Sequence, residues 1–64
     1  MTNKDWVEML KAQGIYDVLT SGVSLAEMVK RLAKGRDPAR VEYKIRMTLD
    51  VLADREANPD GIIA

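Results

Sequence analysis

Apolar residues recur along this chain in four groups. Each has helical spacing and is divided from the next by a glycine, a proline or short polar residues. The first is Trp6, Val7, Met9 and Leu10. Thr2 and Asn3 stand before it as plausible N-caps, because their short side chains can accept from the free amides of a first turn. Thr2 and Asp5 also have the spacing of a capping box. A helix over about residues 3–13 is predicted, stopped by Gly14. Ile15, Val18 and Leu19, with Tyr16 alongside, do not continue the face of Trp6 and Leu10 at ~100° per residue. The phase slip at Gly14 predicts a separate short helix over about 15–20, followed by a Thr20-Ser21-Gly22 turn.

The third group carries the strongest local signal. Ser24 and Glu27 have capping-box spacing, and Val23 and Met28 have the spacing of a hydrophobic staple. Leu25, Met28, Val29 and Leu32 mark one apolar face, and Gly35 closes a helix predicted over 25–34. Asp37-Pro38 then pairs a good N-cap with a proline at the first helical position. Nothing breaks the pattern until Asn58-Pro59, so the last helix is predicted over 38–57. Residues 58–64 have no period and are expected to be a flexible tail, unless Ile62 and Ile63 dock it. The fold class is all-α: one domain over 1–64, a small bundle of three to four helices containing a helix-turn-helix unit.

On a helical wheel the last helix has two apolar strips. Val41, Ile45, Leu49 and Leu52 form one, with Thr48. Tyr43, Met47 and Val51 form the other. This arc is wider than a small core requires. The second strip is either buried within the domain or covers a partner, and a symmetric homodimer is the commonest way to bury such a strip.

Length sharpens the point about partners. A chain of 64 residues buries only ~60% of its unfolded surface, so its core is marginal. Disulfides, thiolate metal sites and His ligation are ruled out by the absence of Cys and His. Regular helix packing and self-association remain. No cofactor or metal site is expected. Asp50, Asp54 and Asp60 read as a solvated acidic edge, and Trp6 and Tyr16 as core or edge-of-core residues. With no His, no Cys and no glycine-rich phosphate loop, an enzyme is not expected. No apolar run approaches a membrane span, and the polar start lacks the features of a signal peptide, so a cytoplasmic protein is the expectation.

Ten basic and ten acidic residues give a formal charge of zero, but they are segregated. Residues 30–46 hold seven basic residues against Asp37 and Glu42, a net of +5; the remainder carries −5. A basic centre of this kind points to a polyanion in a way that the total charge does not.

The helix predicted over 25–34, the turn Lys34–Asp37 and the helix predicted over 38–57 resemble the helix-turn-helix core of LuxR-type and sigma-factor-type domains. Ala26, Val29 and Leu32 of the first helix, and Val41 and Ile45 of the second, fall where that motif turns residues inward. The turn is about two residues longer than in those families, and its glycine has only a displaced counterpart in Gly35. The resemblance covers half the chain and implies DNA binding by a transcriptional regulator.

The residues that would make the contacts are Lys30, Arg31, Lys34, Arg36, Arg40, Tyr43, Lys44 and Arg46. Arginine suits guanine edges, lysine suits phosphate, and the start of the last helix favours an anion. Two readings stand beside this one. The basic segment is ordinary solvated surface, or the chain is a small phage-like inhibitor or anti-activator that covers another protein through Tyr43, Met47 and Val51.

Overall fold

A computed structural model describes residues 1–63. Four helices follow one another: α1 (Asn3–Ala12), α2 (Ile15–Leu19), α3 (Leu25–Ala33) and α4 (Pro38–Ala57). Among the described residues there is no strand, only an isolated antiparallel bridge between Thr2 and Ile62. The chain is a small all-α bundle, as the apolar spacing predicts, and each helix boundary lies within one residue of its expected place.

Local chemistry accounts for those boundaries. At α1, Thr2 is the N-cap: its hydroxyl accepts from the Asp5 amide at 3.1 Å, and the Asp5 carboxylate accepts from the Thr2 amide at 3.1 Å. Hydrogen bonding to Thr2, its backbone amide first and its side chain second, holds the Asp5 carboxyl below its ordinary value. Asn3, the other candidate cap, is buried and serves elsewhere. Gly14 sits at φ 75°, the left-handed region in which a side chain is strained, and there α1 breaks from α2.

The start of α3 differs from expectation in one bond. Ser24 accepts from the Glu27 amide at 3.2 Å, but the Glu27 carboxylate turns to Arg31, whose Nε lies 3.2 Å away. Half of the capping box forms. At its other end α3 stops one residue early, because Lys34 itself takes the left-handed conformation (φ 44°) ahead of Gly35 (φ 89°). Asp37 then caps α4 by accepting from the Ala39 amide at 3.1 Å, with Pro38 in the first turn.

The core is made of Val7 and Leu10 from α1, Leu19 from α2, Met28 and Ala33 from α3, and Val41, Ile45 and Leu52 from α4. Burial of this kind is the main stabilising term, at roughly 25 cal/mol per Å² of apolar surface. The inward face of α3 corrects one expectation. Ala26 is exposed, whereas Met28 and Ala33 are buried and Leu25, Val29 and Leu32 are half-buried. The apolar period of the helix, not the resemblance, predicts its orientation.

The expected flexible tail is also corrected, for residues 58–63; Ala64 lies outside the described residues. The Asn3 and Lys4 amides donate to the carbonyls of Gly61 (2.8 Å) and Pro59 (3.1 Å), and the Ile63 amide donates to Met1 (2.8 Å). The first amides of α1 have no partner inside their own helix, and the returning chain supplies acceptors for them. Backbone bonds do the docking. Of the two isoleucines, Ile62 is 77% exposed and Ile63 is half-buried.

Candidate nucleic-acid interface

The eight residues expected to face DNA come from the second half of α3, the turn after it and the first half of α4. Lys30, Arg31, Lys34, Arg36, Arg40, Tyr43, Lys44 and Arg46 are all exposed, but they fall into two sets. Arg31 is drawn along its helix to Glu27, and Arg46 pairs with Glu42 at 3.5 Å. Among the described residues Lys30, Lys34, Arg36, Arg40 and Lys44 make no ion pair. Pairing of Arg40 and Lys44 with Asp37 or Asp54 within the chain does not occur.

Four of those cations gather around hollows in the surface. A groove of about 520 Å³ has a floor of Ile15, Leu19, Leu32, Val41 and Ile45, and Lys34, Arg36 and Lys44 stand at its edge. Beside it a hollow of about 250 Å³ is lined by Arg36, Asp37, Arg40, Val41 and Lys44, at the N-terminus of the 20-residue α4. The turn is what brings Lys34 and Arg36 up to Arg40 and Lys44. Two successive left-handed residues, Lys34 and Gly35, reverse the chain, and the Arg36 amide donates back to the Ala33 carbonyl at 2.9 Å. The free amides at the start of α4 add partial positive charge to the same place.

The second apolar strip is not used by the chain's own core. Tyr43 is 64% exposed and Met47 51%, with Val51 half-buried. At ~100° per residue, Arg40, Tyr43, Lys44, Met47 and Val51 fall in one arc of about 100°, facing away from Val41, Ile45 and Leu52. The basic residues of α4 and the outer apolar strip are therefore one face, not two. A ligand on this face meets both.

No protein-family model matches the chain, and neither does a curated protein or a solved structure.

Away from this surface, the two other aromatics hold the helices together. Trp6 is half-buried beneath the Arg55 guanidinium, 4.3 Å from its ring centre. Tyr16 lies under Lys11 at 5.0 Å and donates its hydroxyl to Glu56 at 2.9 Å. That hydrogen bond pushes the phenol above its ordinary value of 10.0, with burial adding to it. Sequence reasoning missed the Ile15–Leu19 wall of the groove, because α2 looked like core alone. The signal available was the phase slip at Gly14, which turns Ile15 and Leu19 away from the direction of Trp6 and Leu10.

Proposed function

We propose that the chain is a small DNA-binding protein of the cytoplasm, acting in transcription regulation through a helix-turn-helix unit made of α3, its turn and α4. The observation that carries the reading is the set of unpaired cations, Lys34, Arg36, Arg40 and Lys44, gathered at the start of one long helix. A duplex presents a regular array of phosphates to such a cluster, and the first turns of a helix are the part that enters a major groove. Tyr43 points outward there for a base or sugar contact, while Lys34, Arg36, Arg40 and Lys44 are placed to position the protein on phosphate. Among the described residues no helix is long and apolar enough to cross a membrane.

Titration with a generic DNA duplex tests the reading. Four phosphate contacts give a slope of log K on log salt near −3.6, hence a loss of roughly 10²-fold between 50 and 200 mM salt. Absence of duplex binding at low salt overturns it.

A second reading has its own observation. The exposure of Tyr43 and Met47 favours a protein-binding surface, in which methionine adapts to the partner's shape. Met47→Asp separates the two. It abolishes a protein contact centred on Met47 but leaves phosphate contacts by Lys34 and Arg36 in place.

A further inference from the structure

We propose that the outer face of α4 pairs with the same face of a second copy of this chain, antiparallel, about a twofold axis through Met47. The inference goes beyond DNA binding and does not depend on it. It rests on the order of residues along that face. Read from Met47 in both directions, the sequence is charge-complementary to itself. Lys44 stands three residues before Met47 and Asp50 three after; Tyr43 and Val51 are four away; Arg40 and Asp54 are seven away. All seven lie in one arc of about 120°, at ~100° per residue, over about 21 Å of helix.

A twofold axis at Met47 brings equal distances level with each other. Met47 meets Met47. Arg40 and Asp54 lie on the meridian of Met47, so each faces its opposite in the second copy. Lys44 and Asp50 lie on its two flanks, level with one another and within reach of the lysine's four-carbon stem. Tyr43 and Val51 close the apolar centre. A parallel pairing instead sets Arg40 on Arg40 and Asp54 on Asp54, which repel.

Within a single chain this arrangement is unfavourable. Arg40 and Lys44 are like charges one turn apart, as are Asp50 and Asp54. The cations stand near the N-terminus of α4 and the acids near its C-terminus, the reverse of what the helix dipole favours. Among the described residues none of the four has an ion-pair partner, although Arg46 and Glu42 on the neighbouring flank do pair. The charge order has no role inside the monomer, and an antiparallel second copy gives all four a counter-charge. Because Arg40, Tyr43 and Lys44 are used in this pairing, the dimer and a DNA complex through the α4 face exclude each other.

The experiment is a charge exchange read by sedimentation equilibrium from micromolar to millimolar chain. The wild type associates to a dimer. Arg40→Asp and Asp54→Arg each weaken self-association by roughly tenfold or more, because each sets like charges against each other twice per dimer. An equimolar mixture of the two variants recovers association, since the heterodimer regains both opposite-charge contacts. Both positions are exposed, and circular dichroism checks that each variant keeps its helices. A wild type that stays monomeric, a single variant that dimerises like the wild type, or a mixture that stays monomeric overturns the proposal.

Discussion

Asn3 donates from its side-chain amide to the backbone carbonyl of Asn58 at 2.7 Å, joining the first turn of α1 to the residue that ends α4. Asn3 is the buried polar residue among the core positions, and the return of the chain at 58–63 is built around it. Gly61 fits against the same side chain. A Cβ at position 61 would lie 2.5 Å from Asn3 Nδ2 and 3.2 Å from the Asn58 carbonyl oxygen. Asn3→Ala therefore removes one of two hydrogen bonds to the Asn58 carbonyl, which keeps the Gly61 amide as a donor at 3.0 Å. The loss costs about 0.5–1.5 kcal/mol, which lowers Tm by roughly 4–8 °C per kcal/mol in a domain of this size. Gly61→Ala displaces the Asn3 amide and destabilises to a similar extent. The double variant loses less than the sum of the two, because removing the amide relieves the 2.5 Å clash and leaves only the 3.2 Å contact with the Asn58 carbonyl. Thermal melts of the three variants check this, and additive losses contradict it.

That closure also shows where sequence reading stops. The helices, their caps and the break at Gly14 are local, written in residues two to four apart, and were legible. The Asn3–Asn58 bond spans 55 residues and leaves no local trace. Polarity alone made Asn3 look like a cap and made residues 58–64 look free. The i, i+3, i+4, i+7 spacing of Arg40, Tyr43, Lys44 and Met47 puts the basic patch and the spare apolar strip on one face of α4, and the helix's orientation against the core shows that this face is left exposed. The split between free and paired cations was legible in principle. Glu27–Arg31 and Glu42–Arg46 are both Glu-to-Arg pairs at i,i+4, the favourable order on a helix.

The link between Tyr16 and Glu56 makes stability depend on alkaline pH. Because the hydrogen bond to Glu56 raises the phenol above its ordinary 10.0, the folded chain holds that proton more tightly than the unfolded chain. The contribution is fully present below the ordinary tyrosine value and is lost as pH rises through the raised one. Tyr16→Phe removes both the bond and its titration. The wild type is the more stable protein at neutral pH, and its advantage over Tyr16→Phe shrinks on going up through about pH 9 to 12. Tm measured against pH for both proteins tests this; parallel curves contradict it.

Lys34 is the one non-glycine among the described residues with positive φ, at 44°. A left-handed residue with a Cβ carries a strain of about 1–2 kcal/mol that glycine does not. Gly35, already left-handed, follows it, so the turn itself is retained when residue 34 changes. Lys34→Gly is expected to raise stability by about 0.5–1 kcal/mol, the strain relief being partly offset by the greater freedom of glycine in the unfolded chain. The same change removes a cation from the rim of the groove, so stability and DNA binding move in opposite directions. A higher Tm with a salt slope smaller by ~0.9 is the expected pair of results. A Tm that falls contradicts the strain argument, and an unchanged slope removes Lys34 from the contact set.

The division of the basic residues predicts which arginines matter to DNA. Arg36 and Arg40 line the hollow at the start of α4 and have no carboxylate partner among the described residues. Arg31 and Arg46 have theirs, at 3.2 Å and 3.5 Å. To reach a phosphate, either paired arginine must first give up a carboxylate that lies one turn away on its own helix. That exposed pair is worth only about 0.3–0.5 kcal/mol, so the pairing is a bias and not a lock. Position adds to it. On the wheel Arg46 lies well to the side of the Arg40–Lys44 meridian, so a duplex laid along that meridian passes it by. Arg40→Ala and Arg36→Ala should each weaken duplex binding severalfold and reduce the salt slope by ~0.9, while Arg46→Ala changes neither appreciably. Glu42→Gln supplies the converse. Freeing Arg46 on that side of the helix adds no contact, so Glu42→Gln should change binding only slightly, through the loss of one negative charge, with little change in Tm. Equal losses at positions 36, 40 and 46 would mean that the whole segment acts as diffuse positive charge, with no oriented face on α4.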